Sequence, residues 1–189
     1  MRSREDGKWE TQTHSSMEAF LSQPVAGDHQ RINIGDSSHS LDLLTVNRNS
    51  ELTAVFFHGA VPLSTETYPV FNGIGMSKLA NANLIAVSDP SLQLAEISLG
   101  WHLGNKFTGP VADIIADAVS HTCKCFNSNR TVFTGSSAGG YAAWNCARKF
   151  KSSVTLIANP HLALNRPPYL KMPQLAKEGF EKEVSNQPN

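Results

Sequence analysis

The stretch TVFTGSSAGGYAAW, residues 131–144, runs from β-branched and aromatic residues through a glycine-rich turn into an alanine-rich segment. This order predicts a strand, a tight turn and a helix. Within the turn, Gly135, Ser137 and Gly139 match the pattern G-x-S-x-G. A serine in a strained strand-to-helix turn projects its hydroxyl, and only very small residues two positions before and after it avoid the crowded backbone. Ser137 is therefore the candidate nucleophile, and Gly135 and Gly139 support its turn.

The same turn admits two other interpretations. Ser136 has Thr134 and Ala138 as its equivalent neighbours, so it fits the pattern less well than Ser137. A glycine-rich turn can also cradle a phosphate, but GSSAGG lacks the spacing G-x-G-x-x-G, and no lysine follows it as in a P-loop. In either case, a helix that begins at Ala138 favours negative charge near Ser137.

Outside this turn, short β-rich runs are followed by alternating helical and strand patterns. Strands are predicted at residues 31–34, 41–47, 52–57, 84–88, 131–134 and 153–158, and helices at 74–82, 111–122 and 138–150. Strands that alternate with helices indicate a parallel sheet with helices on its faces. The predicted fold class is therefore α/β, with a mostly parallel sheet of about six strands flanked by helices.

The composition along the chain predicts three segments. Residues 1–29 are polar and are expected to form a flexible N-terminal leader with one helical turn. Residues 30–165 hold the strands and helices of the domain. Residues 166–189 are rich in proline and charge and predict a tail with a short helix over 174–184.

Composition disfavours several classes of partner. The 189 residues carry 16 basic and 16 acidic side chains with no basic block, which disfavours nucleic acid and anionic membranes. No apolar run approaches the roughly 20 residues that cross a bilayer. Cys123, Cys125 and Cys146 are an odd set that suits a reducing compartment, and the first 16 residues contain no apolar stretch typical of a signal peptide, so we expect a cytoplasmic location. Beside the cysteines His121 adds one ligand, so no metal or other cofactor is expected.

The string AVFFHGAVP ends a predicted strand with His58, Gly59 and Ala60. Because the carboxyl ends of parallel strands open onto one crevice, this turn is expected beside Ser137. Backbone N–H groups of Gly59 or Ala60, together with that of Ala138, would then form an oxyanion hole. His58 either lines the pocket or orders the turn, and the sequence leaves both roles open.

The order of these strings, with SDP and WHLGN between them and NPH after the last strand, resembles the α/β-hydrolase superfamily of serine hydrolases. More narrowly, it is similar to bacterial α/β-hydrolase-like proteins linked to cell-surface glycan and accessory-secretion loci. The resemblance covers residues 31–161. It implies a serine nucleophile at Ser137 and an oxyanion loop over residues 58–60.

The chain departs from this family beyond Ser137. The family's triad runs in the order serine, acid, histidine. Here no aspartate follows Ser137, and the one later histidine, His161, precedes the glutamates of the C-terminal tail. The predicted strands also fall short of the family's number, so the chain resembles the first two-thirds of a hydrolase. Its last strand, residues 154–158, would then be an exposed edge through which two copies could pair.

Two histidines are candidates for the missing base. His161 follows the strand next to that of Ser137, and His102 lies in the WHLGN loop. Each has the alternative role of a loop histidine that bonds to the backbone. Asp89 of SDP is expected to cap the Pro90 turn rather than act as the acid, because its strand lies beyond the oxyanion strand.

Trp101 of the same loop also has two interpretations. With Leu99, Leu103 and Phe107 it would line an acyl or sugar pocket, or it would fill the loop as a packing residue.

Taken together, these features predict ester hydrolysis or acyl transfer on a small-molecule ester or acylated glycan, with Ser137 as nucleophile and His161 as base. The alternative is a catalytically inactive or truncated hydrolase-like module that acts in binding.

Overall fold

A computed structural model of the chain is built on one seven-stranded sheet. It describes residues 3–5, 7–25, 27–36, 39–93, 97–162 and 164. The strands are β1 (Thr11–His14), β2 (Gln30–Ile34), β3 (Leu41–Val46), β4 (Leu52–Phe57), β5 (Asn83–Val87), β6 (Arg130–Ser136) and β7 (Val154–Ala158). Their order across the sheet is β7-β6-β4-β5-β3-β2-β1.

The described residues form four helices beside the sheet: α1 (Met17–Leu21), α2 (Ile74–Leu79), α3 (Ala112–Cys125) and α4 (Ala138–Ala147). A 3-10 turn, Pro90–Gln93, follows β5. Each strand and helix predicted over residues 31–158 is present, with ends shifted by at most three residues. Among the described residues, no helix has the length and apolar character needed to cross a membrane.

The sheet is mostly parallel, which confirms the predicted fold class. The pairs β7–β6, β6–β4, β4–β5 and β1–β2 are parallel, whereas β2–β3 and β3–β5 are antiparallel. The pair β2–β3 is antiparallel because a short connection joins the two strands, and only antiparallel strands can be joined so closely. The parallel block β7-β6-β4-β5 therefore has all its carboxyl ends at one edge.

Both faces of the parallel block are covered. Phe57, Ile85 and Phe133 are buried on the face that carries α1, α3 and α4. Phe56 and Leu84 point to the opposite face, which carries α2. Strands buried on both faces need nearly continuous apolar sequence, and runs such as LTAVFF and NLIAV supply it.

The N-terminal segment differs from the flexible leader predicted over residues 1–29. β1 pairs with β2 and adds a seventh strand, and Phe20 of α1 is fully buried in the main core. Ser16 caps α1 by accepting the N–H of Ala19. The described part of this segment therefore belongs to the domain, whereas the predicted tail over residues 166–189 lies outside the described residues.

β7 forms the other edge of the sheet. Val154 and Leu156 are 62% and 63% exposed there. The strand 154–158 is thus an edge with apolar side chains, as the sequence predicts. Pairing of two copies along this edge stays a prediction.

A buried ionic cluster ties the N-terminal residues to β2 and β3. Asp42 is fully buried, and its Oδ1 accepts hydrogen bonds from Arg4 at 2.7 Å and from Arg31 at 3.0 Å. The Ser40 hydroxyl donates to Oδ2 at 3.2 Å. Since Arg31 is itself 3% exposed, its charge depends on the carboxylate for compensation.

Substitution Asp42→Ala is expected to lower the free energy of unfolding by about 3–5 kcal/mol, because it leaves a buried guanidinium without its counter-charge. Urea unfolding of the two proteins would measure the difference. Asp117→Ala, at an exposed position of α3, is the matched control and should change stability little. Equal small losses in both variants would contradict a stabilising role for the cluster.

Candidate active site

Ser137 occupies a strained turn between β6 and α4. Its φ and ψ are 56° and −121°, a left-handed conformation that costs a non-glycine residue about 1–3 kcal/mol. Three backbone bonds hold it there. Its N–H donates to the carbonyl of Ala158 at 3.0 Å, and its carbonyl accepts the N–H groups of His161 at 3.2 Å and Tyr141 at 3.3 Å. The end of β7 and the first turn of α4 thus position the serine.

The two glycines of G-x-S-x-G lie where no side chain fits. A Cβ on Gly135 would meet the carbonyl of Gly139 and would lie 2.9 Å from the carbonyl oxygen of Phe57. A Cβ on Gly139 would meet the carbonyls of Phe57 and His58. Backbone atoms cannot move aside as a flexible side chain can, so glycine is required at both positions.

The structure brings the predicted serine and histidine together. Ser137 Oγ lies 2.9 Å from His161 Nε2. β6 and β7 are parallel neighbours, with Ser136 opposite Ala158, so Ser137 and the residues after β7 leave the sheet side by side. Burial lowers the pKa of His161 below its ordinary value of 6.5, which favours the neutral imidazole at neutral pH.

The second ring nitrogen of His161 is bonded to Trp101. Trp101 Nε1 donates to His161 Nδ1 at 3.2 Å. The indole is 2% exposed and packs in a cluster with Val61, Leu92 and Ala138. Trp101 is therefore a packing residue whose indole N–H reaches the candidate base, and no motif or spacing in the sequence indicates this contact.

The other residues expected with Trp101 divide into two groups. Leu99 and Leu103 pack against the Trp101 cluster. Phe107 does not: it is 54% exposed, stacks on His39 at 3.7 Å between ring centroids, and lines a separate cavity of about 380 Å³. Phe107 lies in the turn of the hairpin that pairs Gly104–Asn105 with Gly109–Pro110, beyond the strand that follows Leu103. The prediction that Phe107 joins the same wall is wrong.

Asp89 holds the loop that carries Trp101. Its Oδ1 accepts the N–H of Ser91 at 2.9 Å, and its Oδ2 accepts the N–H groups of Gly100 and His102 at 3.0 Å each. Burial alone would raise the pKa of Asp89, but His102, His58 and the N–H donors outweigh it and lower that pKa, so the group is a carboxylate. Besides the expected cap of the Pro90 turn, Asp89 thus fixes both neighbours of Trp101.

His58 orders the turn that follows β4. Its Nε2 accepts the N–H of Asp89 at 3.0 Å, so its proton is on Nδ1, which lies 2.8 Å from the carbonyl oxygen of Gly59. This bond turns the Gly59 carbonyl toward the ring, and the N–H of Ala60 in the same trans peptide points the opposite way. At 3% exposure, His58 matches the loop-ordering role rather than the pocket-lining one.

His102 lies behind the same turn and is 4% exposed. Its Nε2 lies 3.1 Å from the carbonyl oxygen of His58, while its Nδ1 is buried and finds no hydrogen-bond partner in the part of the chain that the structure describes. The ring contacts Phe57 edge-on, with centroids 5.2 Å apart. These contacts hold His102 against the turn after β4, and it is His161, not His102, that lies within hydrogen-bond distance of Ser137.

The predicted oxyanion turn is adjacent to the serine. A Cβ on Gly59 would lie 3.7 Å from Ser137 Cβ and 3.1 Å from the carbonyl oxygen of Ser136. Val61, the third residue after His58, donates its N–H to Ser98 at 2.6 Å and so is not available. Ala138 is the first residue of α4, where backbone N–H groups lack partners within the helix.

Substitution Gly139→Ala is expected to lower the free energy of unfolding by about 2 kcal/mol or more, since the new methyl group meets two backbone carbonyls. Gly75→Ala in α2 is the matched control. A Cβ at Gly75 meets no atom within 4 Å, so this helical glycine should tolerate alanine with a gain of up to about 1 kcal/mol. Urea unfolding measures both. Similar effects of the two substitutions would contradict the steric argument.

The free energy of unfolding should decrease as the pH is lowered, because His102 titrates. Burial lowers the pKa of this histidine below 6.5, so between that lowered value and 6.5 the unfolded chain binds a proton that the folded chain does not. His102→Gln keeps a donor for the His58 carbonyl and removes the titration. Its free energy of unfolding should therefore fall less steeply between about pH 7.5 and pH 5, measured by denaturant titration. An unchanged slope would count against burial of a neutral His102.

No family model matches the chain, and no curated protein matches it. Several solved structures match the chain. The Glycosylation Associate Protein (Gap123) complex of Streptococcus agalactiae is 16% identical with a TM-score of 0.57, over 80% of this chain and 29% of that one. The capsule O-acetyltransferase of Neisseria meningitidis serogroup A is 18% identical with a TM-score of 0.53, over 74% of this chain and 54% of the other.

An esterase of Pyrococcus furiosus is 15% identical with a TM-score of 0.52, over 97% of this chain and 69% of its own. The chain spans less than a third of the length of the Streptococcus protein and about half that of the acetyltransferase. At these identities the likeness concerns the backbone. Together with the strand order and the turn at Ser137, it shows that the chain has an α/β-hydrolase-like fold.

Proposed function

We propose that the site catalyses acyl transfer, either to water as ester hydrolysis or to an acceptor hydroxyl, with Ser137 as nucleophile and His161 as base. The observation that carries this proposal is the 2.9 Å contact between Ser137 Oγ and His161 Nε2. A serine hydroxyl is a weak nucleophile unless an adjacent base takes its proton. The strained turn that holds Ser137 supports the same role, because such strain clusters at functional sites.

The reaction would proceed in two steps. Ser137 Oγ attacks the ester carbonyl carbon while His161 Nε2, in the tautomer with its proton on Nδ1, takes the hydroxyl proton. The tetrahedral intermediate then expels the alcohol, which receives that proton from His161, and leaves an acyl-serine. Water or an acceptor hydroxyl attacks the acyl group in the same way and regenerates Ser137.

The backbone around Ser137 supports stabilisation of the oxyanion. The N-terminus of α4 carries a partial positive charge, and Ala138 provides its first N–H. The bond from His58 to the Gly59 carbonyl orients the peptide whose N–H belongs to Ala60. We propose that the N–H groups of Ala138 and of the Gly59–Ala60 turn bind the developing charge.

The substrate we propose is a small-molecule ester or an acylated glycan. The Trp101 cluster contacts Ala138, and Leu99, Leu103 and Tyr141 are only partly buried around it. Such an apolar wall beside the nucleophile suits an acyl group. The names of the solved neighbours, an O-acetyltransferase and an esterase, favour acyl chemistry, while the residue roles proposed for this chain come from its own geometry.

One observation favours the second candidate, a hydrolase-like module that binds without catalysis. Trp101 donates to His161 Nδ1, the atom from which a catalytic triad's histidine donates to its acid. A hydrogen-bond donor at this atom does not stabilise the imidazolium that forms during catalysis. The two candidates differ in whether Ser137 reacts with an electrophile.

Treatment of the purified 189-residue chain with a fluorophosphonate probe tests the proposal. We expect an adduct on Ser137, mapped by mass spectrometry, that Ser137→Ala lacks and Ser136→Ala retains. His161→Gln should slow the labelling, with about 10²–10⁴-fold, the usual contribution of a fully active positioned base, as the upper bound. Circular dichroism checks that each variant is folded. A folded chain in which Ser137 stays unlabelled at saturating probe would support the binding module instead.

A further inference from the structure

The bond between Trp101 and His161 determines where the imidazole proton is. An indole N–H is a donor and has no acceptor lone pair. Trp101 Nε1 therefore donates to His161 Nδ1, across 3.2 Å, and Nδ1 must present its lone pair. In a neutral imidazole one nitrogen carries the proton and the other accepts. The proton of His161 is thus on Nε2, the nitrogen that faces Ser137.

This tautomer reverses the hydrogen bond that catalysis requires. At 2.9 Å, Nε2–H donates to Ser137 Oγ, and the oxygen accepts. A base that is to remove the serine proton must present a lone pair on Nε2. Protonation of Nδ1 as well would bring its N–H against the N–H of Trp101, so the imidazolium is also disfavoured while this contact lasts. The histidine is in place, but its proton is on the wrong nitrogen for the reaction.

The loop holds the indole in this position from both sides. Asp89 Oδ2 accepts the N–H groups of Gly100 and His102, the residues that flank Trp101. Trp101 and His102 both have positive φ, 55° and 53°, which only a strongly constrained loop maintains. A Cβ at Gly100 would meet Ser91 and Asp89, so the loop approaches the Asp89 carboxylate as closely as glycine allows. The placement of Trp101 is therefore built into the fold.

We propose that Trp101 is a positioning residue that holds His161 in the tautomer unable to accept the Ser137 proton, so that the indole N–H must leave Nδ1 before acyl transfer. This inference rests on the proposed function of Ser137 and His161 and adds a step that precedes it. Once Nδ1 is released, the imidazole proton exchanges through water to Nδ1. Nε2 then presents its lone pair to the serine.

Nitrogen-15 NMR of the full chain with labelled histidine tests the tautomer directly. We expect His161, assigned by its loss in His161→Gln, to carry a proton on Nε2 and none on Nδ1. A proton on Nδ1 with a free Nε2 would overturn the proposal. The tautomer is read from the unmodified protein, and His161→Gln serves only to assign the signal.

Trp101→Phe removes the donor while it keeps an aromatic ring in the loop. We expect Ser137 in this variant to react with the fluorophosphonate probe about tenfold faster or more, a part of the roughly 10²–10⁴-fold that a positioned base supplies. A purely structural Trp101 would give the opposite sign, since a loosened His161 slows the reaction. Trp144→Phe is the matched control: this indole is 39% exposed on α4, stacks on Arg148, and should leave the rate unchanged.

The combined results separate this inference from the function on which it rests. In one outcome the wild-type chain is labelled rapidly, Trp101→Phe is labelled no faster, and the proton of wild-type His161 is on Nδ1. This outcome would support acyl transfer and overturn the role of Trp101. No labelling in either protein, with the proton on Nε2, would overturn acyl transfer and keep the tautomer assignment. Faster labelling in Trp101→Phe, with the wild-type proton on Nε2, would support both.

Discussion

The candidate site depends on the parallel pairing of β4, β6 and β7. Parallel strands end at the same edge of a sheet, so the turn after β4, the serine after β6 and the histidine after β7 emerge as neighbours. Two backbone bonds then join the outer pair, one from Ser137 to Ala158 and one from His161 to Ser137. The side chains of Ser137 and His161 meet because their backbones are already joined. Strain at Ser137 is sustained by these bonds and by the glycines around it, whose missing side chains let the three segments approach.

A second layer of contacts, centred on Asp89, links β5 to the same site. Asp89 is 1% exposed. Its backbone N–H donates to His58, and its side chain accepts the backbone N–H of His102 in the loop of Trp101. In this arrangement an acid lies close to the site and yet serves the loop rather than the base. Its negative charge stabilises backbone N–H groups, which in turn place an indole where a triad would have the carboxylate. The effect of Asp89 on His161 is therefore indirect and passes through Trp101.

Local signals in the sequence were sufficient for most of the fold and for naming the candidate nucleophile. Apolar runs and turn residues predict β2 to β7, and the position of His161 after the strand that follows Ser137 makes it one of two candidate bases, beside His102. β1 could not be predicted, because TQTH is mostly polar and its strand conformation comes from pairing with β2. The contact between Trp101 and His161 could not be predicted either: the residues are 60 positions apart, and their bond depends on which edge of the indole faces the ring. Such directions arise from packing around Asp89, which residue types and spacing do not encode.

The direction of one hydrogen bond decides what the pair at Ser137 can do. A carboxylate at Nδ1 would draw the imidazole proton to that side and expose a lone pair to the serine, whereas an indole N–H at the same atom sends the proton to Nε2. Distances alone do not distinguish the two cases, since the 2.9 Å between Ser137 Oγ and His161 Nε2 fits a hydrogen bond in either direction. Contact between a serine and a histidine on a hydrolase-like turn is thus not sufficient for acyl transfer. The partner of Nδ1 determines whether Nε2 donates to the serine or accepts its proton. In this protein Trp101 makes Nε2 the donor, which opposes removal of the serine proton.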